Sequence, residues 1–273
     1  MPELPEVETI KRGLAPQIVD KTIARVIIRN SKLRWPIPKN LPQTLQNQKI
    51  IAINRRGKYL LFEFKHGSLI VHLGMSGSLR TVVGKSFQFA HPKKHDHVDF
   101  VFENSMVLHF NDPRRFGCIL WTEHNPMQHK LLKCLGPEPI ENMDGKYLYN
   151  KSRNKTRPVK LFLMDSHIVA GIGNIYANEA LFAAKINPRC PAGKLSLAQY
   201  EKLTAQIKII LQRAIASGGT TIRDFTNNDG KPGYFKQELK VYGRGNQPCV
   251  NCEHKLREIR LGQRTTVYCP HCQ

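Results

Sequence analysis

The sequence has no apolar run approaching the ~20 residues that a membrane-spanning helix needs, so a helical membrane protein is excluded. It also lacks the basic opening of an export signal, because Glu3, Glu6 and Glu8 put acidic charge at the start. Its 7 cysteines are an odd number, and without an export signal they do not suggest a disulfide framework. Cys118, Cys134 and Cys190 read as scattered small thiols. No internal repeat is evident. Above all, acidic residues are scarce: 21 Asp and Glu stand against 42 Lys and Arg in 273 residues, for a formal net charge of +21. A chain this basic is most simply a polyanion binder, with nucleic acid the first candidate. The expected location is cytoplasmic, and nucleoid-associated when bound to DNA.

A chain of this length holds two main domains and can bury a proper core. Over 2–15, Leu4, Val7, Ile10 and Leu14 recur at helical spacing. From about 20 to 123 the pattern changes to short runs at 22–29, 59–64, 68–73, 97–102, 106–110 and 118–122. Turn signals separate them, and no long helix intervenes, which predicts antiparallel β structure as a sandwich or barrel. After Gly136-Pro137 the period becomes helical, with helices predicted over 158–167, from Asn174 as N-cap through Ala184, and over 196–217. Ser196 and Gln199 form a capping box for the last, and Gly218 stops it. The glycine-rich stretch 218–248 reads as loop, long enough to be mobile and functional or a linker.

Two places carry chemistry on physical grounds alone. Removal of Met1 leaves Pro2 with a secondary amine of low α-amino basicity, roughly 7.7–8.0, nucleophilic near neutral pH and able to form an iminium ion. Glu3 stands beside it to move protons, although a Pro-Glu pair also simply starts helices. Cys249-x2-Cys252 and Cys269-x2-Cys272 together offer four thiolates to one tetrahedral ion, a closed structural zinc site. The loop between the pairs carries Lys255, Arg257, Arg260 and Arg264, with Gly262 at a hairpin tip, and suits a nucleic-acid backbone or groove. Gly171-Ile172-Gly173-Asn174 offers backbone N–H groups to a phosphate, or simply makes a turn. Lys151, Arg153, Lys155, Arg157 and Lys160 form a charge run that either contacts phosphates or is a solvated face. Spacing alone assigns Met75 and Phe116 to core or turn packing.

These residues converge. The start Pro2-Glu3-Leu4-Pro5-Glu6-Val7-Glu8-Thr9 resembles that of bacterial formamidopyrimidine-DNA glycosylases. So do Arg56-Gly57-Lys58-Tyr59-Leu60, His72-Leu73-Gly74-Met75-Ser76-Gly77, Lys94-His95-Asp96-His97 and Asp112-Pro113-Arg114-Arg115-Phe116-Gly117. Gly136-Pro137-Glu138-Pro139, Gly173-Asn174-Ile175-Tyr176, the stretch 229–235 and the four cysteines complete the likeness, which runs from residue 2 to residue 272.

The resemblance implies a DNA base-excision repair enzyme. It would remove oxidised purines such as 8-oxoguanine and formamidopyrimidines, then cut the abasic strand by β,δ-elimination. Pro2 would form the Schiff base at C1′, Glu3 would be proton donor and acceptor, and Glu6 would support the site. Lys58 and Arg264 would serve elimination and phosphate binding. Met75, Arg114 and Phe116 match residues that fill the gap left by the everted base. His95, Asn154, Lys160 and Asn174 match DNA-contacting positions, with Asn154 interrupting the family's basic run near 151–155. The segment 218–235 corresponds to the loop that closes over the lesion.

The expected fold is α+β. An N-terminal helix and antiparallel β-sandwich occupy 1–128, a helical helix-two-turn-helix domain occupies 129–235, and a zinc-bound β-hairpin occupies 236–273. The expected partner is double-stranded DNA with oxidised bases or abasic sites, bound by a monomer with one structural Zn2+ and no obligate protein partner. Two rivals remain: an endonuclease VIII-like enzyme for oxidised pyrimidines, and a non-catalytic zinc-ribbon DNA-binding protein.

Overall fold

The structure is a computed structural model that describes residues 2–83, 92–219 and 238–273. The chain divides into two compact units; among the described residues the first holds 2, 6–83 and 92–133, and the second 3–5, 134–219 and 238–273. The proposed lesion loop 218–235 lies outside the described residues except for Gly218 and Gly219.

The first unit is built on helix α1 (Leu4–Ile18), from Glu6 onward, and two four-stranded antiparallel sheets. Strands β1 (Ile23–Ile28), β6 (Asp96–Phe102), β7 (Met106–Asn111) and β5 (Ser78–Val83) form one sheet, in the order β1-β6-β7-β5. The other has the order β2-β3-β4-β8, from β2 (Ala52–Arg56), β3 (Tyr59–Phe64), β4 (Gly67–His72) and β8 (Cys118–Thr122). Alternation along the strands turns Val98, Phe100 and Phe102 from one sheet, and Leu60, Phe62 and Phe64 from the other, into a common core. Val7, Ile10, Leu14 and Ile18 of α1 join the same core, each side chain contributing ~1.5–3 kcal/mol on burial. The short helix α2 (Leu41–Leu45) buries Leu41 and Leu45 there as well.

The topology also places two corners side by side. Residues 73–77 cross from β4 to β5, and residues 112–117 cross from β7 to β8, so both run from one sheet to the other. Because β4 pairs with β8 (His72↔Cys118) and β5 with β7 (Ser78↔Asn111), the crossings are neighbours.

The second unit comprises helices α3 (Gly145–Ser152), α4 (Val159–Leu163), α5 (Asn174–Ala184) and α6 (Leu197–Ala216), then a hairpin of β9 (Arg257–Leu261) and β10 (Arg264–Tyr268). The Ser196–Gln199 capping box is present, and Gly218 follows α6 at φ +74°. The helix foreseen over 158–167 is a single short piece, Val159–Leu163, and α5 is capped by Gly173 rather than Asn174. Helix α5 is buried nearly all round, its Phe182 packing with Val241, Leu256, Val267 and two of the cysteines.

Candidate active site and nucleic-acid interface

The N-terminus of α5 is where the glycines of 171–174 act. A helix start leaves N–H groups unpaired and carries partial positive charge. Here the Glu3 carboxylate takes them: Oε2 accepts from the Gly173 N–H at 2.8 Å and the Tyr176 N–H at 3.4 Å, and Oε1 accepts from the Ile175 N–H at 2.9 Å. A Cβ on Gly173 would stand 2.5 Å from Glu3 Oε1 and would push the carboxylate out of this seat. Gly171, at φ +86°, accepts the Leu4 N–H at 3.0 Å, and a Cβ on it would stand 2.7 Å from the Leu4 side chain. The anion offered to this helix end is therefore the protein's own catalytic candidate. Of the two readings left open for the motif, a phosphate cradle or a simple turn, the N–H groups of Gly173 and Ile175 are already taken by this carboxylate.

Lys160 gives a correction. It is fully buried, and its ammonium donates to the Thr265 carbonyl at 2.8 Å and to Thr266 Oγ1 at 2.7 Å. It cannot touch DNA from there; it ties α4 to the strand that begins with Arg264. Burial pulls its pKa down to about 7, the Glu3 carboxylate opposing this and the Arg264 guanidinium adding to it. Two more cations of the basic run are spent inside the unit. Arg153 donates to the Tyr149 and Leu195 carbonyls, and Arg157 pairs with Asp165 at 2.8 Å. Lys151, Asn154 and Lys155 are exposed, with Asn154 at φ +60°, a backbone that asparagine tolerates well.

The sequence reading missed Tyr242 and the two side chains that hold its surroundings. Burial raises the Tyr242 phenol above its usual pKa, the Glu3 charge adds to this, and a hydrogen bond with the Asn174 side chain and the charge of Arg264 oppose it. Glu3, Asn174, Lys160, Tyr242 and Arg264 thus form one electrostatic cluster. Buried Glu179 fixes the Tyr242 segment by accepting the N–H groups of Lys240, Val241 and Tyr242 at 2.8–3.0 Å. Asn178 Oδ1 accepts the Val267 N–H of the hairpin at 3.0 Å. An aromatic in a basic, glycine-rich stretch was the available signal for Tyr242, whereas Glu179 gave none.

In the first unit Lys58 sits in the two-residue turn between β2 and β3, after Gly57 at φ +56°. Arg55 ties this turn to α1, donating to the Gly57 carbonyl at 3.1 Å and to Glu8 at 2.9 Å. Burial depresses the His72 pKa to about 4, with the charges of Lys58 and Arg34 adding to the effect. Pro2 and Glu6 are buried. His95 is half-buried at φ +73°. Met75 lies on one of the paired corners and Arg114 and Phe116 on the other. Arg114 stacks over the Phe116 ring at 4.9 Å, and Phe116 is 42% exposed. An exposed phenylalanine under an arginine fits contact with a stacked base better than core packing.

The four cysteines gather as expected. Cys249–Cys272, Cys252–Cys269 and Cys252–Cys272 Sγ separations are 3.9, 3.5 and 3.3 Å. A tetrahedron of Zn–S bonds of about 2.3 Å has edges of roughly 3.8 Å, so the donor set fits one zinc ion with no open position. The Asn251 N–H to Cys249 Sγ and the Cys272 N–H to Cys269 Sγ support the thiolates. The zinc ion is held by Cys249, Cys252, Cys269 and Cys272.

Three family descriptions match the chain in succession. They are the formamidopyrimidine-DNA glycosylase N-terminal domain over 1–119, its H2TH domain over 135–226, and the zinc finger found in FPG and IleRS over 246–273. Formamidopyrimidine-DNA glycosylases of Methylococcus capsulatus and Stutzerimonas stutzeri are 54% and 55% identical, covering 100% of both chains. The chain belongs to the formamidopyrimidine-DNA glycosylase family. Among solved structures, the MutM (Fpg) protein of Thermus thermophilus superposes with a TM-score of 0.89 at 34% identity, covering 100% of this chain and 98% of that one. A Lactococcus lactis FPG mutant in complex with Fapy-dG DNA gives 0.92 at 35% identity, covering 100% and 99%. The fold of the family is the α+β architecture described above. No described helix is long and apolar enough to cross a membrane.

Proposed function

We propose that this protein is a base-excision repair glycosylase and abasic-site lyase acting on oxidised purines in double-stranded DNA, working in the cytoplasm at the nucleoid. The observation that carries the reading is the seat of Glu3, bound to the start of α5 through three backbone N–H groups and joined directly to Pro2. That seat fixes a carboxylate one residue from the amine freed when Met1 is removed. Pro2 attacks C1′ of the damaged nucleotide, the base leaves with its bonding electrons and the proline nitrogen gives up its proton; the C1′–O4′ bond then breaks with a proton delivered to O4′, leaving an iminium ion between Pro2 and C1′. Glu3 transfers the protons this requires, and buried Glu6, in the first turn of α1, supports the site. The iminium acidifies the adjacent C2′ hydrogens, so loss of a proton expels the 3′ phosphate and a second elimination expels the 5′ one. Lys58 and Arg264 serve these steps, binding phosphates together with His95, Asn154 and Asn174. Met75, Arg114 and Phe116 occupy the gap in the duplex, Arg114 pairing with the orphaned base.

Borohydride trapping on a duplex with one 8-oxoguanine opposite cytosine tests the reading. A covalent band mapping to Pro2, and absent in Pro2→Gly, is expected. A Pro2→Gly protein that cuts as fast as the parent would remove the nucleophile assignment. A Lactococcus lactis Fpg has been crystallised with oxidised-pyrimidine DNA, so a thymine glycol duplex belongs in the same experiment. Faster cleavage of that duplex than of the 8-oxoguanine one would move the reading to pyrimidine lesions.

A further inference from the structure

The two paired corners are held together by one side chain that nothing above assigns. Asp112 is fully buried at the end of β7. Its Oδ2 accepts the Gly117 N–H at 2.8 Å, within its own corner, and its Oδ1 accepts the Ser76 hydroxyl at 3.0 Å, across to the other. Ser76 Oγ in turn accepts the Arg114 N–H at 3.3 Å. The backbone of Asp112 extends the link to a third segment. Its N–H donates to the His95 carbonyl at 3.1 Å, and its carbonyl accepts from His97 Nε2 at 2.9 Å. The corners also touch through bare backbone: a Cβ on Gly74, which has φ +64°, would stand 2.5 Å from the Phe116 carbonyl carbon.

We propose that Asp112 is a positioning residue that, with Ser76, locks Met75, Arg114 and Phe116 into one rigid wedge and registers that wedge against His95. The proposal rests on the glycosylase reading for what the wedge does. Three side chains on two separate crossings can enter a duplex together only if the crossings do not move independently, and each crossing alone is a short turn, the second exposed from 113 to 116. A carboxylate is suited to the task because its two oxygens take one donor from each side, and burial excludes the water that would compete. An asparagine can make both links with one polarity reversed, accepting from Gly117 and donating to Ser76 Oγ; alanine makes neither.

The experiment compares the parent with D112A, D112N and S76A on two DNAs: the 8-oxoguanine duplex, and a single strand with one abasic site, which has no stack to enter. Misplacement by about an ångström lowers rates about 100-fold. Single-turnover excision from the duplex is therefore expected to fall about 100-fold in D112A and about tenfold in S76A, with D112N within about tenfold of the parent. Cutting of the single-stranded abasic site is expected to stay within about twofold in all three. Amide exchange in D112A should quicken at 74–77 and 114–117 together, with the sheets unchanged. Equal loss on both DNAs, undiminished duplex excision by D112A, or quickened exchange in one corner only would overturn the proposal. If the parent cuts neither DNA, the glycosylase reading fails, while the exchange measurement still decides whether Asp112 couples the corners.

Discussion

A single lysine shows how a charge pattern can mislead and what burial does to it. In sequence Lys160 is the last cation of a basic run, which gives no sign of which members face inward. In the fold it is sealed beneath the hairpin with two acceptors. Its pKa of about 7 lies below the 10.5 of a free lysine, so between those values the unfolded chain binds the extra proton. By linkage, stability attributable to Lys160 rises as pH rises from about 7 towards 10.5. Lys160→Met should abolish that rise in melting temperature over the window. It should also loosen the strand behind Arg264, at a cost of ~1–3 kcal/mol for the acceptors left unmet, and weaken DNA binding without the change in salt slope that loss of a phosphate contact brings. Thermal melts from pH 7 to 10 and a titration of binding against salt check both. Pro2 and Glu3, by contrast, stand out in the sequence itself, as an amine and a carboxylate on consecutive residues. Tyr242 and Glu179 do not, since their roles depend on a segment some sixty residues away folding back on α5.

Among the elements, strands with a buried face on each side of a turn announced themselves. The runs at 59–64 and 118–122 match β3 and β8 residue for residue. Strands β2 and β5 did not. Asn54, Arg55 and Arg56 make β2 polar, and Arg80 and Thr81 interrupt β5. Arg55 is nonetheless the residue by which β2 reaches α1. Glu8 receives Lys11, Arg12 and Arg55 at 2.8–2.9 Å. Burial alone would raise the Glu8 pKa, but these partners overcome it and hold it near 2 instead of 4.5. A carboxylate with a depressed folded-state pKa contributes stability above its unfolded value and loses it as pH falls through the folded one. The cluster should therefore contribute up to ~3 kcal/mol above pH 4.5, lost between 4.5 and 2. Glu8→Gln should lower the melting temperature at neutral pH and flatten the acid limb of the stability curve, which denaturant titrations at pH 7 and pH 3 would show. An unchanged acid limb would mean that the ion cluster has no such role.

For the whole chain, the excess of 42 basic over 21 acidic residues dominates behaviour in solution. With five or more phosphates neutralised, the slope of log affinity against log salt should be about −4 or steeper. A flat plot would contradict a phosphate-bound complex. Chelation of zinc should abolish DNA binding while most of the β structure stays folded, because among the described residues the cysteines share a core with Phe182, Val241, Leu256 and Val267, all of the second unit. Circular dichroism alongside binding would separate the two effects. The order of sandwich, helical region and zinc hairpin was legible because each has its own periodicity or spacing. The pairing of the two corners was not, since it follows from strand order.

The hairpin between β9 and β10 turns on two residues, Gly262 and Gln263, at φ +50° and +60°. That tip acts as a ruler. One residue added there would slip β10 by one position, and in a strand every such slip turns each side chain to the opposite face. Thr266 would leave the Lys160 ammonium, Val267 would lose the Asn178 side-chain oxygen, and Arg264 would point the other way. The length of this turn is therefore as constrained as the identity of any residue in it, and a library of tip insertions should lose DNA binding at one added residue while the four cysteines still take up zinc.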